Sequence, residues 1–335
     1  MMKQILIIAA FLILSCQKAD GQIYRVAEMS AEQIRALNKQ KTVVILTGGI
    51  LEQHGPHLPS YTDTYVNEWV TVRLAEALLE RPGCSVLIFP TIPLGYGAAN
   101  VIGEKYIFPG SYTVSKSTLR AVYMDLATEL GEQGFRWIFI NHGHGAPYNN
   151  LMLDQAGEYF RDTYGGVMVH LRGLEPTAEQ LSKAKFTLPF PSLTEAETTE
   201  NGKLDPHAGF EETSVMLFLR PDLVSPSYKT LAPLTINKPA DQFALARTDN
   251  WSGYLGSPRI GNATYGARRQ QWRAALNIAL ANAFLDGILD ERDVPRYSTI
   301  RLSNPEFTKN YAGRTNYEAR IERQQREWMK KKNIE

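Results

Sequence analysis

The sequence predicts an α/β fold in which helices cover both faces of a mainly parallel sheet. The first observation is a series of short apolar runs, rich in β-branched residues, that Gly, Pro or polar residues bound on each side. The second is that segments with apolar residues at three- and four-residue spacing separate these runs, as expected of helices. Strands that alternate with helices form crossover units, and crossovers produce parallel strands with both faces covered.

Four apolar runs are predicted to be the strands. The first ends at the Gly48-Gly49 pair, and the second follows the loop Arg81-Pro82-Gly83-Cys84. All are short enough to be strands rather than buried helices. The predicted strands are Val43–Thr47, Val86–Pro90, Trp137–Asn141 and Val167–Leu171.

The predicted helices lie between and after these strands. They have the apolar stripe of a helix that packs on one face of a sheet. The predicted helices are Asn67–Leu79, Ser117–Gln133, Leu151–Thr163, Glu211–Leu219 and Tyr265–Leu289. From Thr177 to Gly209 the chain is rich in Thr, Glu and Pro without strong periodicity, which predicts a long irregular excursion.

The chain is predicted to hold one folded domain with short segments at both ends. Residues 22–295 form the domain, and residues 296–335 form a charged C-terminal arm. Within the arm, Tyr317–Lys332 is rich in Gln and Arg, which favours a solvated tail over an exposed helix or a partner-facing arm.

Composition excludes several classes of protein. With 44% apolar and 21% charged residues among 335, the chain is neither disordered, collagen-like nor a coiled coil. A formal charge of +1 gives no basic excess, so no nucleic acid partner is expected. The cysteines, Cys16 and Cys84, are too few for a thiolate metal site, so any metal must be held by His and carboxylates. Cys84 is expected to be buried rather than reactive.

Residues 1–21 have the pattern of a secretory signal peptide. Lys3 precedes the apolar run Ile5–Leu14, which is too short to span a bilayer. The tetrapeptide Ile13-Leu14-Ser15-Cys16 resembles a bacterial lipobox, in which case Cys16 would carry a lipid anchor. Cleavage near Ala19-Asp20-Gly21 would instead release a soluble protein. The expected location is the bacterial cell envelope, either periplasmic or as a lipoprotein whose only membrane contact is the anchor.

Five of the six histidines fall in three short segments that contain Gly or Pro. In the first segment Glu52 and His54 are two residues apart, so their side chains point to the same side of an extended backbone. A Pro-rich loop then leads to Asp63. The segment follows a predicted strand, and open α/β sheets bind ligands at the carboxyl ends of their strands.

The other two segments add further imidazoles and carboxylates. His142 and His144 follow the predicted strand that ends at Asn141, and the flanking glycines permit close backbone approach. His144 is the ligand candidate, whereas His142 is expected to orient a ligand, to contact substrate or merely to be hydrogen-bonded in a loop. His207 precedes Glu212 by five residues at a predicted helix start. Acidic residues at such a position also favour the helix dipole alone.

Together these segments resemble the three signature blocks of the creatininase (creatinine amidohydrolase) family. The blocks here are Glu52-Gln53-His54-Gly55-Pro56-His57-Leu58-Pro59 with Asp63, then Gly143-His144-Gly145, then His207-Ala208-Gly209 followed by Glu212-Thr213-Ser214. Supporting matches are Phe108-Pro109-Gly110-Ser111 and Gly253–Gly266. The resemblance covers residues 40–290 in broad outline and implies a three-layer α/β/α sandwich that assembles as a homo-oligomer, a hexamer in this family.

The resemblance also implies two divalent metal ions per subunit, Zn, Mn or Fe. Glu52 and His144 would hold one ion, His54 and Glu212 the other, and Asp63 would bridge them. A hydroxide shared by the ions would attack the carbonyl carbon of a small cyclic or linear amide, the C–N bond would break, and His207 would protonate the departing nitrogen. The alternatives are a lactone or small peptide as substrate, or a non-catalytic metal-binding protein of the envelope.

Three positions depart from the family pattern. A family glutamate is replaced by Ala146, and another is replaced by Phe210 with Glu211 one position later. These changes predict a remodelled substrate pocket and argue against creatinine as the substrate.

Overall fold

The computed structural model describes residues 21–97, 101–104, 109–248 and 250–334. The predicted signal peptide, apart from Gly21, lies outside the described residues, and so do Cys16 and Phe108. Among the described helices, none is both long and apolar enough to cross a bilayer.

Five strands in the described part of the chain form one parallel sheet. In spatial order the strands run β1-β3-β2-β4-β5, so β2 and β4 are central. The strands are β1 (Ile23–Arg25), β2 (Thr42–Thr47), β3 (Ser85–Ile88), β4 (Trp137–Asn141) and β5 (Val167–His170). All six residues of β2 are buried, which explains its continuous apolar run.

Helices connect the strands and continue after the last of them. In chain order they are α1 (Ala31–Ala36), α2 (Thr62–Leu79), α3 (Lys116–Glu132), α4 (Pro147–Tyr164), α5 (Ala178–Lys183), α6 (Glu195–Asn201), α7 (Phe210–Leu219), α8 (Pro239–Leu245), α9 (Ala263–Leu285), α10 (Tyr297–Leu302), α11 (Pro305–Ala312) and α12 (Thr315–Lys331).

Side chains of β2 point alternately into two hydrophobic clusters. Val44 and Leu46 pack with residues of α3 and α4 on one face, and Val43 and Ile45 pack with residues of α2 and α9 on the other. The sheet is therefore the middle of three layers. The predicted α/β/α sandwich with a parallel sheet is confirmed.

The structure departs from the sequence interpretation at several elements. The short β1 was missed, because three residues are too few to show a pattern. Helix α2 begins at Thr62 rather than Asn67, so Asp63 lies in a first helical turn and not in a loop. The excursion from Thr177 contains α5 and α6, which each begin with a capping box. Cys84 is buried as predicted, and burial raises the pKa of its thiol.

The solvated-tail interpretation of Tyr317–Lys332 is wrong. Helix α12 covers almost all of it, and its buried Glu318 accepts a hydrogen bond from the Lys116 amide. Just before this helix, the fully buried Tyr311 belongs to the hydrophobic cluster of α3 and α4. The division of the chain at residue 295 stays a prediction.

Candidate metal centre

The candidate site lies at the carboxyl edge of β2 and β4, the two central strands. Thr47 and Asn141 end these strands as partners in register. A buried amide ties the following loops together: Asn67 of α2 donates to the Gly48 carbonyl at 2.8 Å and accepts from the Gly143 amide at 2.9 Å. The loop after each central strand is therefore fixed to α2, which itself carries Asp63.

Glu52, Asp63 and His144 form one group of possible metal ligands. His144 Nδ1 lies 3.0 Å from Asp63 Oδ2 and 3.4 Å from Glu52 Oε2. The other ring nitrogen, Nε2, donates to the Tyr96 carbonyl at 3.1 Å. In the neutral ring, that bond leaves the lone pair on Nδ1, which faces the two carboxylates.

His54, Asp63 and Glu212 form a second group, which shares Asp63 with the first. His54 Nδ1 donates to the Glu52 carbonyl at 2.8 Å, so in the neutral ring the lone pair is on Nε2, which lies 3.5 Å from Glu212 Oε2. Within each group the candidate ligand atoms all lie within 4.8 Å of one another. We call the five residues of both groups the cage: Glu52, His54, Asp63, His144 and Glu212.

Three carboxylates give the cage an excess of negative charge. Burial alone would lower the pKa of His54, but Glu212, Asp63 and Glu52 raise it to about 10. At His144, too, burial alone would lower the pKa, but Glu52 and Asp63 raise it to about 9. His54 in turn holds the pKa of Glu212 well below its usual range, although burial alone would raise it. The cage therefore stabilises positive charge.

The cage residues fit a cation. Glu52 Oε1 and His54 Nε2 are buried and have no hydrogen-bond partner among the described residues, although each is a good ligand atom. Buried polar atoms are normally paired, and a cation would satisfy both. Carboxylate and imidazole together suit zinc, manganese or iron.

His207 lies against the cage and forms a third group with Glu52 and His54. Its ring centroid is 4.6 Å from that of His54, and its Nε2 donates to the Gln53 carbonyl at 2.7 Å. Burial lowers the pKa of His207. The next residue, Ala208, has a φ of +50°, and its amide donates to Glu212 Oε2 at 2.5 Å. The sequence interpretation missed that His207 is close enough to share a cation.

Two other histidines of the signature segments lie outside the cage. His142 Nε2 donates to the Leu94 carbonyl at 3.1 Å, and its ring meets Tyr123 edge-on. His57 Nε2 lies 2.9 Å from Thr213 Oγ1. Burial lowers the pKa of both imidazoles to about 4. Both imidazoles form hydrogen bonds within the surrounding loops, and the choice among the roles expected of His142 stays a prediction.

The three departures from the signature blocks take on separate roles. Ala146 is fully buried at the start of α4, and Phe210 packs against Tyr265 with ring centroids 4.6 Å apart. Glu211 turns away from the cage and forms ion pairs with Arg269, at 3.0 Å, and with Arg273. Glu211 has thus become a partner of arginines.

Two cavities, of about 560 and 280 Å³, border the cage. Asp63, His144 and Glu212 line both, and His207 lines the smaller one. The larger cavity is also lined by side chains that the sequence interpretation missed: Arg172, Phe190, Arg269, Trp272 and Arg273. They belong to distant segments, so no local pattern could have revealed them.

Comparison with known proteins gives consistent matches. A family model described as "Creatininase: Creatinine amidohydrolase" matches residues 27–280. A mycofactocin precursor peptide peptidase of Mycolicibacterium smegmatis is 27% identical over 237 residues, which cover 70% of this chain and 82% of that protein. The creatinine amidohydrolase of Pseudomonas putida is 30% identical over 190 residues, or 54% of this chain and 66% of that protein.

Solved structures share the fold. A putative creatinine amidohydrolase from Bacteroides fragilis matches with a TM-score of 0.53 and 23% identity, over 80% of this chain and 97% of that chain. A manganese form of creatininase matches with a TM-score of 0.54 and 22% identity, over 79% and 99% of the two chains.

Proposed function

This chain belongs to the creatininase family, and we propose that it is a metal-dependent amidohydrolase that cleaves a C–N bond of a small cyclic or linear amide. The observation that carries the proposal is the convergence of the five cage residues around one shared carboxylate, Asp63, with unpaired buried ligand atoms beside it. Three neighbouring carboxylates, of which Glu52 and Asp63 are buried, repel one another, and bound cations would offset that repulsion.

Two divalent cations, of zinc, manganese or iron, fit the ligand arrangement. Glu52 and His144 would hold one cation, His54 and Glu212 the other, and Asp63 would contact both. The main-chain carbonyls of Glu52 and Tyr96 hold the imidazoles in the tautomers that binding requires. When bound, paired cations supply a nucleophile from water near neutral pH and polarise the carbonyl of the substrate.

His207 is suited to move the proton that the departing nitrogen needs. Its Nε2 lies 2.7 Å from the Gln53 carbonyl oxygen and 3.1 Å from the side-chain amide nitrogen of Gln53, and donation to the nearer carbonyl places the lone pair of the neutral ring on Nδ1. Burial lowers the pKa of this imidazole, so the ring is neutral at rest, and a proton that Nδ1 accepted from the attacking water would be released readily to the departing nitrogen. The positive φ of Ala208 keeps His207 and Glu212 in this relative position.

A small peptide is the second candidate substrate. It is favoured by the mycofactocin precursor peptide peptidase, which matches 70% of this chain, and by the larger cavity, which extends well beyond the cage. A lactone remains a third possibility on chemical grounds. A non-catalytic metal-binding protein would show the metals without turnover.

We also propose that the protein is exported to the bacterial envelope and anchored through Cys16. Support comes from the basic start, the short apolar run and the lipobox of residues 1–21. Fractionation of cells that express the wild type or Cys16→Ser tests the anchor, since the variant should leave the membrane fraction. Assembly into a hexamer is likewise proposed from the family alone and is tested by analytical ultracentrifugation.

The decisive experiment combines metal analysis with a substrate panel. We expect about two divalent ions per chain by elemental analysis, and metal-dependent hydrolysis of at least one member of a panel of amides, lactams, lactones and short peptides. Turnover should stop with a chelator and return with zinc or manganese. Full metal content without hydrolysis of any member would favour the non-catalytic alternative.

Replacement of Asp63 is the sharpest single test. Asp63→Ala removes the carboxylate that both groups share, so the metal content should fall by about half or more and hydrolysis should be lost. Asp154→Ala is the matched control, because Asp154 is also a buried carboxylate but bonds Ser298 instead of facing the cage. An Asp63→Ala protein that keeps its full metal content would remove Asp63 as the shared ligand.

A further inference from the structure

Three arginines line the larger cavity, and two of them share one ion-pair partner, Glu211. Arg269 Nε lies 3.0 Å from Glu211 Oε2, and Arg273 pairs with the other oxygen of the same carboxylate. Arg273 also donates to Gln270 Oε1 at 2.8 Å. Arg172, two residues after the end of β5, lines the same cavity. We call Arg172, Arg269 and Arg273 the arginine cluster.

Arg172 is the member of the arginine cluster that lacks a partner. Among the described residues it makes no hydrogen bond and no ion pair, and its Nε is buried. A Cβ on Gly143 would lie only 3.1 Å from that Nε and 3.2 Å from Nη2, so the guanidinium rests against the Gly143 backbone. The Arg172 guanidinium is thus placed beside the residue that precedes His144.

The arginine cluster adjoins the cage at two points. Arg172 touches Gly143, next to His144, and the other two arginines hold Glu211, next to Glu212. Both cage residues line the same cavity as the cluster. A substrate whose reacting group lies at the cage can therefore contact the arginine cluster with a group next to the scissile bond.

Of the three guanidinium groups, two pair with the same carboxylate, Glu211, and Arg172 forms no ion pair among the described residues. The other acidic residues of the cavity wall are Asp63 and Glu212, which face the cage, Asp205, which accepts from the Glu211 amide and from Asn201, and Glu175. Burial, together with mutual repulsion, lowers the pKa of Arg172 and brings that of Arg273 to about 10. A buried cation without a partner is costly, so this part of the cavity favours an anion.

Aromatic rings hold one arginine in place and give the cavity an apolar wall. The Arg269 guanidinium stacks 4.5 Å from the centre of the Phe190 ring and 5.0 Å from that of Trp272. The two rings meet edge to face, 5.1 Å apart. Cation–π stacking fixes the plane of the guanidinium, so its donors are aimed before any ligand arrives.

We propose that the arginine cluster binds a carboxylate of the substrate, so the amides that this site accepts carry a free carboxylate group beside the scissile bond. This inference rests on the proposed amidohydrolase activity of the adjacent cage. The planar guanidinium fork matches the two oxygens of a carboxylate, and Arg172 has its donors available. N-acylated amino acids and the C-terminal end of short peptides both present this chemistry.

The test compares ligands that differ only in this charge. Binding of hippurate, glycyl-phenylalanine and their carboxamides is measured by calorimetry on the metal-loaded protein and on chelator-treated protein. N-benzoylaminomethylphosphonate tests a tetrahedral oxyanion in the same place. Each measurement is repeated on Arg172→Gln, Arg172→Lys and Arg292→Gln, the last being a control whose arginine pairs with Asp290 on the surface. Metal content and thermal unfolding are recorded for every variant.

We expect at least one carboxylate to bind about tenfold more tightly than its carboxamide, since a charge-assisted bidentate pair contributes on this scale. Arg172→Gln should abolish that preference with metal content unchanged, Arg172→Lys should retain part of it, and Arg292→Gln should leave it intact. Tighter binding of hippurate would indicate an acylated amino acid as the substrate, and tighter binding of the dipeptide would indicate the C-terminal end of a peptide.

Three results would overturn the inference. They are a panel in which no carboxylate exceeds its carboxamide, a phosphonate that binds better than every carboxylate, and a preference that survives Arg172→Gln in a folded, metal-loaded protein. If carboxamides are hydrolysed as fast as carboxylates, the amidohydrolase activity stands and the carboxylate subsite is refuted. If carboxylates bind more tightly than carboxamides but nothing is hydrolysed, the subsite stands and the amidohydrolase activity is refuted.

Discussion

The two histidines of the cage offer opposite ring nitrogens, because a main-chain carbonyl holds the other nitrogen of each. His54 presents Nε2 and His144 presents Nδ1. Each imidazole is thus set to its binding tautomer by a neighbour that cannot change its own hydrogen-bonding role. No substitution removes a main-chain carbonyl, so the tautomers are a property of the loop conformation.

The raised histidine pKa values predict an unusual pH dependence for the metal-free protein. An unfolded histidine has a pKa of about 6.5, whereas the pKa in the fold is about 10 at His54 and about 9 at His144. The folded chain therefore binds more protons between these values. The stability that these two histidines contribute should be fully present below about pH 6.5 and be lost as the pH rises toward 9, whereas His57 and His142, with a pKa of about 4, lower the stability only below about pH 6.5.

Urea unfolding from pH 6 to 9 measures this effect. Chelator-treated protein should lose stability with rising pH, whereas zinc-loaded protein should gain it, since cations bind deprotonated imidazoles. His54→Gln should flatten the chelator profile. Parallel profiles with and without metal would show that the histidines do not carry the charge assigned to them.

His207 is expected to affect turnover and not metal binding. His207→Ala should lower kcat by about 10²-fold or more, with the metal content unchanged. The loss should shrink for a p-nitrophenyl ester of the same acyl group, whose phenolate departs without a proton. A protein that loses metal together with activity would instead make His207 a metal ligand, which its distance to Glu52 and His54 permits.

At the level of elements, helix α2 is what joins the two central strand loops. Asn67 contacts the Gly48 carbonyl and the Gly143 amide, and its own carbonyl accepts from Asn141 at 2.7 Å. Four residues before Asn67, the same helix presents Asp63 to the cage. The Asn67 side chain thus links the helix that carries Asp63 to both strand loops.

Asn67→Ala should weaken both the fold and the cage. It leaves two buried main-chain groups without partners, which should cost about 2–5 kcal/mol of unfolding free energy, and should lower metal affinity about tenfold through the loosened loops. Asn277→Ala is the control, since it removes only one 3.3 Å bond to Asn141. Equal effects of the two substitutions on metal affinity would refute the positioning role of Asn67.

In the molecule as a whole, the chain after residue 295 packs on the central domain. Ser298 donates to Asp154 of α4 at 2.6 Å, and Arg314 pairs with Glu104 at 3.0 Å. The ring of Tyr311 meets that of Tyr148 with centroids 5.0 Å apart. Tyr311 also lines the smaller cavity at the cage, so the C-terminal helices help to enclose the site.

The stability of two aromatic variants decides how far residues 296–335 belong to the domain. Tyr311→Ala removes a fully buried ring and should cost about 3–5 kcal/mol by urea unfolding. Trp328 of α12 is more than half exposed, so Trp328→Ala should change stability by only about 0.5 kcal/mol. A small effect at Tyr311 as well would support a separate arm.

The sequence by itself determined the sheet and the chemistry of its edge. Four strands of the sheet are nearly continuous apolar runs, because strands buried on both faces leave no other pattern. The segments of Glu52, His144 and His207 can each be recognised from a few residues, since glycine, proline and ligand-type side chains cluster locally. The ligand roles given to them stay predictions.

Only the tertiary structure decided what depends on packing between distant segments. The ring nitrogens that face the cage, the sharing of Asp63 between two groups and the start of α2 at Thr62 follow from contacts across the sheet edge. The arginine cluster combines the end of β5 with helix α9, and no local pattern links them. Such contacts are set by how the layers pack, and a sequence pattern of a few residues carries no information about them.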